Sequence, residues 1–441
     1  MPTHSTTNSL SLSAKARRTG EQPISFLMAA VINDPTIINF AAGLVDPLTL
    51  PVDAALRITD AIFKSPIRAR AALQYDTTLG LAPLRQAALR HLEKLEQKPA
   101  FEFGVSESDI VITTGSQQAL YLIGDCLIDP GDIVIVANPC YFVYTGTLAS
   151  LGATVLAVPM TEDGIDVGAI ERLLSKLDLE NRLNRVKLIY TTSYFQNPTG
   201  LTLSAEARPR LLQLVKRFSR NHRILILEDA AYRELRYDGP SLPSIKSLDR
   251  DNRFTILTQT FSKSFAPGLK TGYTAMPSDL LKAVLCQKAN HDFGSASLSQ
   301  HIALEAMTSG FYDQQVRRLC DNYRKKRDIL LAALEQYLPK NSDICWTRPA
   351  GGLYVWVTLP SSIDTSRNSL LFRNCVARGI LYVPGEYSFQ TDDEGYVPRN
   401  HLRLSFGQVA PEMIEPGIQR LAGAITDSLE TQQKENLGVH L

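Results

Sequence analysis

Five short runs in this chain are nearly continuous in apolar, β-branched character: Ile110-Val111-Ile112-Thr113-Thr114, Ile133-Val134-Ile135-Val136, Val186-Lys187-Leu188-Ile189-Tyr190, Ile224-Leu225-Ile226-Leu227 and Phe254-Thr255-Ile256-Leu257-Thr258. A strand that is apolar on both faces must be covered on both faces, which is the condition of a parallel sheet between layers of helices. Between two of these runs, residues 203–221 carry apolar residues at helical spacing. Their Arg208, Arg210, Lys216, Arg217 and Arg220 are expected to face water, giving a strand–helix–strand unit. Beyond about residue 310 the texture changes. Val316, Leu319, Cys320, Tyr323, Leu330, Leu334 and Tyr337 recur at helical spacing, and Gly352-Leu353-Tyr354-Val355-Trp356-Val357 and Leu402-Arg403-Leu404-Ser405-Phe406 read as strands of a smaller sheet. The basic cluster Arg324-Lys325-Lys326-Arg327 reads as a solvated helix face. The 441 residues thus divide into an N-terminal arm with part of a small domain over 1–50, a large α/β domain over 51–310 and a small α+β domain over 311–441.

Several function classes drop out. Lys plus Arg number 46 against 45 for Asp plus Glu, a net charge of +1, so no long-range field favours nucleic acid or an anionic membrane. No apolar stretch is long enough to span a bilayer. The six cysteines (Cys126, Cys140, Cys286, Cys320, Cys345, Cys375) show neither a C-x-x-C pair nor zinc spacing, as expected of reduced thiols in a cytoplasmic protein that binds no metal. Residues 1–20 hold Lys15, Arg17, Arg18, many Ser and Thr and no acid before Glu21, a composition shared with organelle transit peptides. They lack an arginine-rich amphipathic period and read better as a flexible arm.

Chemistry-bearing residues follow the strands. Thr114-Gly115-Ser116-Gln117 opens a helix, so its free amides with Ser116 and Gln117 can hold a phosphate, although a serine there can equally be a plain N-cap. Glu228 and Asp229 close a buried strand at the edge where open α/β sheets place ligands. A buried Asp229 needs a partner, either a cationic ring nitrogen or a structural ion pair. Asn197, in Phe195-Gln196-Asn197-Pro198-Thr199-Gly200, can donate to a phenolate oxygen or simply form a turn. Lys263, in Thr260-Phe261-Ser262-Lys263-Ser264-Phe265, would be one solvated lysine among many without that company.

Taken together and in this order, these segments resemble the fold-type-I pyridoxal-phosphate aminotransferases of class I/II, in the branch of 2-aminoadipate and kynurenine aminotransferases and MocR-type regulators. The resemblance covers roughly residues 20–425 and implies a mostly parallel, seven-stranded-type sheet in the large domain, beside a smaller α+β domain. It implies that Lys263 carries pyridoxal 5'-phosphate as a Schiff base and then moves the proton between the substrate Cα and the cofactor C4′. Asp229 would pair with the pyridine nitrogen, Asn197 and Tyr232 would hold the 3-oxygen, and Tyr141 would stack on the ring. Ser116, Gln117, Thr260, Ser262 and Lys270 would hold the phosphate, joined by Tyr75 from the neighbouring subunit of a homodimer. Arg403 would grip the substrate α-carboxylate, assisted by the backbone around Gly43 and by Asn197.

Two departures from the family pattern bear on this. Pro267-Gly268-Leu269-Lys270-Thr271-Gly272 has lysine where the family usually has arginine, which keeps the charge and loses the planar fork. In the arm, Pro23-Ile24-Ser25-Phe26 offers Ser25 where some relatives place an arginine for a distal acid, so a dicarboxylic substrate is not implied, and Phe26, Leu27 and Met28 suit an apolar or aromatic side chain as well. The implied activity is transfer of an amino group from an L-amino acid to a 2-oxo acid, 2-oxoglutarate foremost. The alternatives are another reaction of the same cofactor, such as elimination, cyclisation or oxidation, and a non-catalytic regulator. About twenty residues precede the resemblance, too few for the winged-helix domain such a regulator carries.

Overall fold

The computed structural model describes residues 10–21, 23, 25–26, 36–340, 343–392 and 394–436; Ile24, Leu27 and Met28 of the arm lie outside them. Strand β1 (Ile38–Asn39) precedes the eight strands of the large sheet. These are β2 (Ile110–Thr113), β3 (Ile133–Asn138), β4 (Thr154–Thr161), β5 (Gly164–Ile165), β6 (Val186–Thr192), β7 (Leu225–Asp229), β8 (Thr255–Thr260) and β9 (Gly272–Ala275). Their order is β2-β9-β8-β7-β6-β3-β4-β5. Strands β4, β3, β6, β7 and β8 pair in parallel, β9 is antiparallel to both its neighbours, and β5 is a two-residue antiparallel arm at the edge. The five apolar runs are β2, β3, β6, β7 and β8, and the mostly parallel sheet is as expected, with β5 as an eighth strand.

The apolar runs are continuous because alternate side chains feed two different cores. Ile133, Ile135 and Ala137 of β3 pack with Leu174, Leu211 and Val215 of the helices Val167–Leu179 and Ala207–Phe218. Val134 and Val136 point the other way, onto Ile123, Leu148 and Val284 of the helices Gly115–Leu127, Phe142–Leu151 and Ser278–His291. Trimming one of these fully buried isoleucines to alanine costs about 2–5 kcal/mol.

A second sheet holds β10 (Cys345–Trp346), β11 (Tyr354–Thr358), β13 (Val383–Pro384) and β14 (His401–Ser405), all antiparallel in the order β10-β11-β14-β13. It lies with the helices Phe311–Tyr337, Leu370–Ala377 and Pro411–Asn436. β12 (Ile380–Leu381) pairs in parallel with β1, which brings the segment around Gly43 to this part of the molecule.

Three basic residues expected at the surface are buried. Arg208 is fully enclosed, donating to the carbonyls of Leu203 and Ser193 and pairing with Glu228, with Tyr194 stacked against its guanidinium. Lys326 is also enclosed, 2.7 Å from Asp46 and 3.0 Å from the Gly407 carbonyl. Arg327 pairs with Asp238 at 2.6 Å. Helical spacing marks a face, but each of these cations found an anion from a distant segment, which is the condition for burying it. Arg210, Lys216, Arg217 and Arg220 are exposed as expected. In the arm, Ala14–Arg18 forms a short helix docked on the large sheet's outer helices: Lys15 reaches Asp125 at 2.8 Å and Arg18 donates to the Ser150 carbonyl. Among the described residues no helix is long and apolar enough to cross a membrane.

Candidate active site

Five strands, β2, β3, β6, β7 and β8, point their C-terminal ends at one edge of the sheet, and the chain beyond each end contributes to one cavity of about 240 Å³. From β2 come Ser116 and Gln117, from β3 Tyr141, from β6 Asn197, from β7 Asp229 and then Tyr232, and from β8 Thr260, Ser262 and Lys263, with Lys270 on the turn before β9. Ten of the eleven residues expected around the cofactor therefore share this cavity. The eleventh, Tyr75, lies outside it at the surface, with its ring edge-on to Phe293.

Strand alternation decides which carboxylate serves the cavity. Glu228 points to the opposite face, where Ser193, the backbone amides of Ile245 and Lys246, and Arg208 satisfy it. Asp229 points in. It accepts from the Tyr190 hydroxyl at 3.0 Å and the Ala231 amide at 3.1 Å, and no cation pairs with it among the described residues. Burial raises its pKa to about 6, against the pull of those two hydrogen bonds.

At the opposite end, the first-turn amides of the helix Gly115–Leu127 face the cavity together with the hydroxyls of Ser116, Thr260 and Ser262 and the Lys270 cation. Thr260 donates to Ser262 at 3.0 Å, which orders the two hydroxyls. Gly272 makes this close approach possible, since a Cβ there would lie 2.5 Å from the Gln259 carbonyl and 3.2 Å from the Ser116 amide.

Lys263 Nζ donates to the Gly43 carbonyl at 2.8 Å. Burial lowers its pKa; Tyr354 opposes this, and the positive charges of Arg403 and Lys270 add to it. Arg403, fully buried on β14, donates through Nη1 to Asn197 Oδ1 at 2.8 Å and through Nη2 to the Ala41 carbonyl at 2.7 Å, leaving its Nε buried without a partner. Since Arg403 occupies Oδ1, Asn197 offers the cavity its Nδ2 donor. Tyr232 shares a 2.9 Å hydrogen bond with Tyr354, a contact that the sequence reading missed along with Tyr190.

The donor set fits pyridoxal phosphate: a phosphate-sized cup of amides, hydroxyls and a lysine, an unpaired carboxylate for a ring nitrogen, amide and phenol donors for a ring oxygen, and a lysine whose burial favours the free amine. The family model for class I and II aminotransferases matches residues 35–421, and the chain belongs to that family. It is 35 % identical over 400 residues to aromatic-amino-acid aminotransferase 1 of Thermococcus litoralis, covering 91 % of this chain and 90 % of the relative. It is 32 % identical over 395 residues to the 2-aminoadipate transaminase of Thermus thermophilus, covering 89 % and 90 %. The solved kynurenine aminotransferase of Pyrococcus horikoshii, a complex with PMP, matches with a TM-score of 0.86 and 32 % identity over 95 % of this chain and 97 % of that one. The protein is a pyridoxal-phosphate-dependent aminotransferase of fold type I.

Proposed function

We propose that this aminotransferase moves the α-amino group of an L-amino acid to a 2-oxo acid, with 2-oxoglutarate as the foremost acceptor. The observation that carries the reading is that Arg403 is anchored on Asn197, so the group that would fork a substrate carboxylate is held by a residue that also lines the cofactor cavity. When bound, pyridoxal phosphate supplies an electrophilic carbonyl and a ring that accepts electron density from the amino-acid Cα.

The chain's own residues do the rest. Lys263, favoured as the neutral amine by its burial, would be the group that takes the Cα proton and returns it at the cofactor C4′. Asp229 holds the ring nitrogen protonated, which also gives that buried carboxylate the cation it lacks. Asn197 and Tyr232 donate to the 3-oxygen, and Tyr141 covers the ring face. Ser116, Gln117, Thr260, Ser262 and Lys270 hold the phosphate. Arg403, with the backbone around Gly43, fixes the α-carboxylate and hence which Cα bond stands perpendicular to the ring.

A homodimer completes the phosphate site with the partner subunit's Tyr75. Tyr75 is 84 % exposed, and it ends a stretch in which Leu48, Val52, Leu56, Ile67 and Leu73 also expose apolar side chains, the kind of patch that a second copy covers. Phe26 in the arm has Tyr387 6.0 Å and the Arg367 guanidinium 4.0 Å from its ring, so this end suits apolar or aromatic donors as well as dicarboxylic ones. The division at about residues 50 and 310 belongs to this reading, as does a cytoplasmic location, supported by six free cysteines. Screening amino donors against 2-oxoglutarate and pyruvate, with the new amino acid read by mass, tests the proposal; formation of ammonia or a cyclised product in place of a new amino acid would replace it.

A further inference from the structure

We propose that Tyr354 is a positioning residue that couples the cofactor-facing Tyr232 to the substrate-facing Arg403. The inference rests on the reading above, in which Tyr232 donates to the ring 3-oxygen. Tyr354 stands at the start of β11, 2 % exposed, and meets three parts of the site at once. Its hydroxyl lies 2.9 Å from that of Tyr232, with the two rings edge to face at 5.5 Å. Its ring face carries the Arg403 guanidinium 4.4 Å from the centroid. Its hydroxyl also leaves no room for a side chain at Gly43, where a Cβ would lie 2.5 Å away, and Gly43 is the residue whose carbonyl receives Lys263 Nζ.

Proton counting gives the hydroxyl pair a direction. Each phenol has one proton to donate. If Tyr232 donated its proton to Tyr354, it would have none for the ring oxygen, so with that acceptor in place Tyr354 is the donor and Tyr232 the relay. Donation into the Tyr232 oxygen polarises its O–H and makes it a stronger donor in turn. The ring has a separate task. A cation over an aromatic face is attracted to it, which helps keep the Arg403 fork in place while Asn197 and the Ala41 carbonyl hold its outer nitrogens.

The test uses reconstituted holoenzyme and separates hydroxyl from ring. In Tyr354→Phe, the pH midpoint of the bound-cofactor absorbance change should rise by roughly half a unit, about threefold in proton affinity, because the 3-oxygen loses part of its donor. The KM for L-glutamate should stay within about twofold, the stacking ring being retained. In Tyr354→Leu the midpoint should move as in the phenylalanine variant, while the KM for L-glutamate rises about fivefold. Tyr232→Phe serves as the reference and should shift the midpoint at least as far. If Tyr232→Phe moves the midpoint and Tyr354→Phe leaves it unchanged, the coupling is overturned while the reading of Tyr232 stands. If neither variant moves it, the reading of Tyr232 falls and the coupling falls with it. A KM increase in Tyr354→Phe equal to that in Tyr354→Leu would overturn the role given to the ring.

Discussion

Asp229→Asn removes one charge, keeps the side chain's shape, and should have opposite effects on the cofactor-free and cofactor-loaded protein. The Asp229 carboxyl accepts from Tyr190 and Ala231 but faces no cation among the described residues, and burial lifts its pKa from 3.8 to about 6. For an acid whose folded pKa lies above its unfolded value, the folded chain holds the proton more tightly. Its stabilising contribution is therefore complete below pH 3.8 and is lost as the pH rises through about 6. The gap between the two values corresponds to about 3 kcal/mol, the penalty for an unpaired buried carboxylate at neutral pH. Cofactor-free Asp229→Asn should therefore be more stable than cofactor-free wild type at pH 8 by up to about 3 kcal/mol, or about 3 °C in Tm for a chain of this length. The difference should shrink toward zero near pH 4. With cofactor bound the order reverses, because only wild type gains the ion pair, and turnover of the variant should fall by a factor corresponding to about 3–5 kcal/mol. Melting curves of the stripped and loaded proteins at the two pH values measure all of this. Equal stability of the stripped proteins at pH 8, or a gain that persists unchanged at pH 4, would refute the reasoning.

Arg403→Lys should leave cofactor absorbance unchanged while kcat/KM falls at least about tenfold for every donor, whatever its side chain; a loss confined to donors with a second carboxylate would make Arg403 a side-chain specificity residue. Mixing Tyr75→Ala subunits with Asn197→Ala subunits should restore activity through one intact site per crossed dimer, and no recovery despite proven subunit exchange would count against shared sites. Lys326→Met should destabilise the fold by about 3–5 kcal/mol by taking the cation from the buried Asp46 carboxylate, which denaturant titration can read; a loss under about 1 kcal/mol would mean that the Leu48 amide and the Asn322 side chain, which also donate to Asp46, satisfy the charge by themselves.

What the sequence made legible follows from the range of the interactions involved. The β2, β3, β6, β7 and β8 runs were readable because burial on both faces is a local composition, and Ser116, Gln117, Tyr141, Asn197, Asp229 and Lys263 were readable because each sits at or just past the end of such a run, whereas Tyr75, Lys270 and Arg403 were placed only by the family resemblance. The strand β9 was not: Gly272–Ala275 is four residues long, begins at a glycine and is read naturally as the tail of the Lys270 turn. Tyr354 was read only as a strand residue. Its partner Tyr232 is 122 positions away, and what puts it on the Arg403 face is the β11–β14 register, in which Trp356, two residues on, opposes Arg403. Without that register, strand parity alone could not connect them. Lys326 and Arg208 were misplaced for the same reason, since their anions, Asp46 and Glu228, come from other segments.

The most direct test of the account concerns Lys263. Borohydride reduction of the holoenzyme followed by digestion and mass mapping should place the phosphopyridoxyl group on the peptide containing Lys263. Lys263→Ala should fold with an unchanged circular dichroism spectrum, retain no reducible covalent cofactor and turn over no amino acid. Recovery of the label on Lys270 or any other lysine, or turnover by the Lys263→Ala protein, would contradict the assignment on which every other role in the site depends.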